Sequence, residues 1–202
     1  MSEQTPPKPP TSAIPLCNMI LGLLIIAQVP VMFGAISGAG TIWLAPWILC
    51  AYPVIVFCVI KMFRDGDMVE ATINGVLSCV LMGQNAISGL IWLVFTLQGQ
   101  LPPAEVLAGM AMINGMAFLV GAIILLPMAY LAFQGSKVAG ICIGASGIGF
   151  LALFFLYYGF GDFFGLIAAC GLTILALFLL LSAIISFFPK KNPASSEQAS
   201  DS

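Results

Sequence analysis

The stretch richest in usable chemistry runs from Lys61 to Leu90, KMFRDGDMVEATINGVLSCVLMGQNAISGL. Within it Glu70, Asn74, Ser78, Leu81, Asn85 and Ser88 follow one another at steps of 4, 4, 3, 4 and 3. At 100° per residue these positions fall within about 80° of arc, so on an α-helix they share one face. All of them except Leu81 are polar, whereas the rest of the helix, including Ile73, Val76, Val80, Met82, Ile87 and Ile91, is mostly apolar. Two uses fit such a stripe. It joins neighbouring helices, each hydrogen bond contributing roughly 0.6–2 kcal/mol, or it lines a water-accessible path. The length of the run favours a path. Leu81 interrupts the stripe and Leu77 lies close to it; the pair reads either as an apolar constriction or as ordinary packing. Isolated polar groups elsewhere, Asn18, Gln28 and Asn114, are further candidate lining residues or partners for the stripe. Glu70 either favours the dipole of a first helical turn or stands at a cytoplasmic mouth.

Composition says what surrounds this stripe. The chain has 202 residues, 61% hydrophobic and only 7% charged. A water-soluble domain carries roughly 25% charged residues, so the expected class is an all-α integral membrane protein. A formal net charge of −2 leaves no footprint for nucleic acid. There is no histidine, no pair of carboxylates at membrane depth and no CxxC. An enzyme is therefore not expected, and neither a cofactor nor a metal. Cys17, Cys50, Cys58, Cys79, Cys142 and Cys170 all fall in apolar runs and read as small buried apolar residues.

A membrane helix needs roughly 20 mostly apolar residues. Six such segments can be drawn, at about residues 15–36, 41–63, 69–97, 105–133, 138–160 and 164–188. They are joined by SGAG, RDGD, QGQLPPAE, QGSK and FGDF. Residues 1–14 and 189–202 are polar and read as disordered tails around a six-helix transmembrane domain, 15–188. All the basic residues, Lys8, Lys61, Arg64, Lys137, Lys190 and Lys191, fall in the tails and in the second and fourth connections. The positive-inside rule then puts both termini in the cytoplasm, in a multi-pass cell (inner or plasma) membrane. Pro30, Pro46, Pro53 and Pro127 interrupt the backbone ladder within spans, either as packing irregularities or as kinks that shape a pore. Gly140, Gly144 and Gly147 form a small face for close helix contact, within one chain or between copies.

These features resemble the acetate uptake transporter family, also called the succinate–acetate permeases. SAIPLCN, Ser12 to Asn18, stands where that family has an NPAPLGL-type motif, and Pro15 and Leu16 match it. RDGDMVEATINGVLS, Arg64 to Ser78, stands where it has a KGNTFGLTAFTSYG-type segment, and Gly66 and Thr72 match. LAFQGSKV, Leu131 to Val138, is similar to its basic turn between spans 4 and 5; FFGLIAACG, Phe163 to Gly171, is similar to its start of span 6. The likeness extends from Ser12 to Phe188. It implies six spans with cytoplasmic termini, a homohexamer with a pore in each copy, and a constriction carried by Leu21 and Leu77. The chain departs from the pattern too: the family's tyrosine falls on Leu77, its span-1 aromatic near Leu21, the third constriction residue near Ser146, and a span-2 glutamine on Ile55.

Three functions follow as expectations. The first is a channel or transporter for a small solute, acetate or another short monocarboxylate, with proton linkage through Glu70 or through the solute itself. No Lys or Arg lies deep in a span to hold an anion tightly. The second is a channel for urea or a similar neutral amide. The third is a membrane scaffold or accessory protein that transports nothing.

Overall fold

The structure, a computed structural model, describes residues 12–33 and 41–188. All regular structure among them is helical. Six helices are long and apolar enough to cross a membrane: α1 Ile14–Met32, α2 Thr41–Asp65, α3 Met68–Leu97, α4 Ala104–Gly135, α5 Lys137–Tyr157 and α6 Phe163–Phe187. These match the six segments expected from hydropathy, with shifted ends. Ile14, placed by the sequence reading in the N-terminal tail, already begins α1; residues 1–11, 34–40 and 189–202, on which the two expected tails fall, lie outside the described residues. The fifth helix stops at Tyr157 rather than 160, because Gly159 and Gly161 turn the chain at φ +80° and +121°, a region that side chains with a Cβ avoid.

Local sequence explains the helix starts. Pro15 occupies the first turn of α1, where a missing N–H costs nothing. Ser136 opens α5, its Oγ accepting from Ala139 N at 3.3 Å. Gly66, at φ +89°, makes the turn between α2 and α3, and next to it Lys61 pairs with Asp65 at 2.7 Å. The four prolines lie inside α1, α2 and α4, as their sequence positions require.

The helices run alternately up and down. Ile14, Val69, Gly135, Ser136 and Ser182 meet at one end, while Met32, Leu44, Trp92, Leu107 and Tyr157 meet at the other. The first will be called the basic end, since Lys61, Arg64 and Lys137 stand at the helix termini there. α4 packs most extensively on α5, and α6 on α1 and α5, while α2 packs on α3. The outward faces are apolar, with residues such as Phe57, Ile87, Ile113 and Ile123 more than 60% exposed. In water that surface would be untenable; in lipid it is the solvent-facing side.

Close approach between helices rests on glycine. A Cβ on Gly140 would lie 2.5 Å from Phe133 Cβ, and one on Gly147 would lie 2.9 Å from Leu126, both on α4. The small face of α5 is thus spent within the chain, on α4. Three cysteines depart from the expected burial: Cys50, Cys79 and Cys170 are exposed on the outer surface of the bundle, whereas Cys17 and Cys58 are buried. Lipid accepts a thiol there at little cost, so hydropathy alone does not separate the two settings.

Gly140→Val should lower stability by about 1–3 kcal/mol through overpacking, read as a fall in Tm of the purified protein in detergent. Gly109→Ala, on α4 where nothing lies within 4 Å of the new methyl, should leave Tm unchanged or raise it slightly.

Candidate functional site

The third span is not one uninterrupted α-helix. It is α-helical over Met68–Leu77 and Gln84–Leu97, and between them Ser78–Gly83 forms a π-helical segment. The i→i+5 ladder of a π segment takes in an extra residue, so side chains beyond it swing by about 100° relative to those before it. Stripe residues add side-chain hydrogen bonds to backbone carbonyls on either side of this point. Ser78 Oγ donates to Asn74 O, and Asn85 Nδ2 donates to Leu81 O, each at 2.5 Å.

The stripe is divided between two cavities at different depths along α3. At the basic end Glu70 and Asn74 face a cavity of about 370 Å³, together with Asn18 of α1, Ser182 of α6 and residues of α4 and α5. At the far end Asn85 and Ser88 face a second cavity of about 390 Å³, together with Gln28, Asn114, Trp92 and Tyr157. α6 contributes to the first cavity and not the second; α2 contributes Leu44 and Ile48 to the second and nothing to the first. Neither cavity is lined by Lys or Arg.

Around the far cavity the polar groups form two hydrogen-bonded pairs. Asn85 Nδ2 donates to Gln28 Oε1 at 2.8 Å as well as to Leu81 O. Both its N–H bonds are then used, which fixes the orientation of both amides and leaves Gln28 Nε2 as a buried donor without a partner. Asn114 Nδ2 donates to Ser88 Oγ at 3.3 Å, so the Ser88 hydroxyl hydrogen is free to turn elsewhere. Phe118, stacked on Tyr157 with ring centroids 5.6 Å apart, closes the apolar side.

Between the cavities lies an apolar layer. Leu21 of α1, Leu77 and Leu81 of α3, Leu125 of α4 and Phe150 of α5 are each 0% exposed. Phe150 fits because α4 carries Gly121 opposite it: a Cβ there would stand 2.6 Å from the ring. The layer separates Asn74 from Asn85 by 11 residues of α3, a rise of roughly 15 Å. Among the described residues no opening joins the two cavities.

Of the residues singled out from sequence, Asn18 and Asn74 line the basic-end cavity, with Glu70 exposed at its edge, and Gln28, Asn85, Ser88 and Asn114 line the far one. Ser78 departs from its expected lining role: it lies in neither lining, is 2% exposed, and spends its hydroxyl on Asn74 O. Leu21, Leu77 and Leu81 sit in the closed layer, and Ser146 is buried beside it, donating to Ile143 O at 2.7 Å. Sequence reading missed Ser182, which accepts from Asn18 Nδ2 at 3.2 Å, as well as Trp92 and Tyr157. Ser182 is a single hydroxyl in an apolar helix, with no periodic companions to mark it. Gln84 was missed as well. It ends the π segment with both carboxamide atoms buried and unpartnered, and it lines neither cavity.

No family profile, characterised protein or solved structure matches this chain.

The two-cavity arrangement sets a labelling pattern. In a background lacking the six native cysteines, Asn74→Cys should react with a membrane-impermeant thiol reagent from one side of the membrane only, and Asn85→Cys from the other. Ser78→Cys and Leu77→Cys should react from neither; labelling of all four from a single side would show one continuous lumen instead.

Proposed function

We propose that the protein passes a small solute across the membrane, by way of two vestibules and an apolar gate that opens between them. The carrying observation is that polar stripe residues at each end of α3 face a cavity, while the layer joining the two is dry and apolar. Groups used only to tie helices together have no need of adjoining space. An apolar layer of this kind restrains hydrated solutes by dewetting.

The solute we favour is acetate or another short monocarboxylate. The far cavity supports this reading through the Ser88 hydroxyl, which is free to donate, and through the carboxamides of Gln28, Asn85 and Asn114 in its wall. These suit a carboxylate oxygen. The missing Lys and Arg fit transient holding rather than tight capture, as a path requires. The likeness to the acetate uptake transporters from Ser12 to Phe188 points the same way. It brings with it the proposals of a homohexamer, cytoplasmic termini in a cell membrane, and proton linkage. The basic end, carrying Lys61, Arg64 and Lys137, is then the cytoplasmic end. A neutral amide such as urea is the second reading. It draws on the same carboxamides, since Asn85, Gln28 and Asn114 present both donors and acceptors.

Protein reconstituted in liposomes should take up acetate faster than urea. Gln28→Leu together with Asn85→Leu should reduce that uptake at least about tenfold, the loss of one or two hydrogen bonds to the passing solute. Uptake of urea alone would move the assignment to the amide reading, and no uptake of either would leave a scaffold. The pH dependence of acetate flux should weaken in Glu70→Gln if the carboxylate carries the coupled proton; an unchanged profile would assign that proton to the solute.

A further inference from the structure

The far cavity sets a hydrogen-bond donor and acceptors side by side. Asn114 Nδ2 donates to Ser88 Oγ at 3.3 Å, which leaves the Ser88 hydroxyl hydrogen to give and Asn114 Oδ1 to receive. The two side chains are in contact, so these free groups stand within a few ångströms of each other. Turning the Asn114 amide over exchanges their roles and still leaves one donor and one acceptor. Asn85, about one turn before Ser88 on the same face of α3, adds a second acceptor. Its Nδ2 is spent on Gln28 and Leu81, and its Oδ1 is not. Gln28 Nε2 is sealed away, but the Asn85 and Asn114 oxygens are not: they have no hydrogen-bond partner among the described residues and keep accessible surface. Ser88, Asn85 and Asn114 all line the cavity. The rest of its wall is largely apolar, with Leu153, Phe118 and the rings of Trp92 and Tyr157, and among the described residues no charged side chain lines it. Its volume, about 390 Å³, falls in the range of roughly 300–1,000 Å³ typical of sites for small organic molecules.

A carboxylate has acceptors only. One of its oxygens could take the Ser88 hydrogen, but the other would face amide oxygens, with no cation to offset the loss of water. A neutral carboxylic acid matches the wall on both sides. Its carbonyl oxygen accepts from Ser88, its own O–H donates to an amide oxygen, and an apolar body lies against the aromatic rings. We propose that the far cavity binds a monocarboxylic acid in its neutral, protonated form, with the carboxyl group held by Ser88 and Asn114 and the body against Trp92, Phe118 and Tyr157. The proposal rests on the monocarboxylate reading of the solute and adds the charge state that is held. The proton then enters on the acid itself.

The test is isothermal titration of the purified full-length protein in detergent, corrected for protein-free micelles, with two probes. Benzoic acid is the acid; benzamide has the same ring and a similar donor–acceptor pair but stays uncharged. Between about pH 5 and pH 7 the apparent Kd for benzoic acid should rise about tenfold per pH unit, because only the neutral fraction binds. The Kd for benzamide should stay constant. Ser88→Ala should weaken both probes about five- to tenfold, the loss of one hydrogen bond. A benzoic acid Kd that does not change with pH, saturable binding of benzamide alone or of neither probe, or unchanged binding in Ser88→Ala would each overturn the proposal. Binding is read here without transport. Acetate uptake in liposomes by a protein that fails this test leaves the solute reading standing, whereas pH-dependent binding without acetate uptake upholds the site and removes the path.

Discussion

A carboxamide in the middle of a bilayer can satisfy its hydrogen bonds only inside the protein, and everything else in this bundle is arranged around that constraint. The chain carries Asn18, Gln28, Asn74, Asn85 and Asn114 at membrane depth. Lipid offers them nothing, so each is turned inward, and its helix is oriented with it. The outer faces are left to Phe, Ile and Leu, which need no partner. The helices then approach as closely as their glycines allow. Gly140 and Gly147 let α5 approach α4 closely, and Gly121 makes room on α4 for the Phe150 ring. The polar interior and the tight apolar packing are two results of one requirement.

The π segment of α3 reconciles that requirement with a sealed centre. A straight α-helix would carry Asn74 and Asn85 on the same face, toward the same neighbours. With an extra residue taken in between them, Asn74 turns its amide to Met62 of α2 and Asn85 turns its own to Gln28 of α1. Leu77 and Leu81 remain at the middle, fully buried against Leu21, Leu125 and Phe150. Ser78 and Asn85 add side-chain hydrogen bonds to backbone carbonyls one turn back, on Asn74 and Leu81. Local irregularity at this point is matched by local side chains, as is common where π-bulges occur in functional helices.

Much of this was legible in the sequence. The six spans follow from apolar run length, and their alternation from the placement of Lys61, Arg64 and Lys137. Six of the seven polar lining candidates were readable because amides are rare at membrane depth and because periodicity marks a face. Ser78 was misread, since a serine within a stripe looks the same whether its hydroxyl faces a lumen or its own backbone at i−4. The division into two cavities was not readable. Periodicity assumes a constant 100° step, and no residue type announces the extra residue of a π turn. Ser182, Trp92 and Tyr157 escaped because each is one polar group on an otherwise apolar helix, and only tertiary neighbours give it a role. The cysteines show the limit of burial inference in lipid: a thiol facing acyl chains and a thiol facing the core occur in the same kind of apolar run.

The thinness of the sealed layer has an electrical consequence. Where aqueous vestibules reach in from both faces, a membrane potential does not fall evenly across a hydrocarbon slab of roughly 30 Å. It concentrates over the short dry interval between Asn74 and Asn85. An ion stepping only that far crosses nearly the whole voltage, worth about 2.3 kcal/mol per unit charge for each 100 mV. On the path proposed above, passage of an anion would depend steeply on the membrane potential, while passage of a neutral molecule would be indifferent to it.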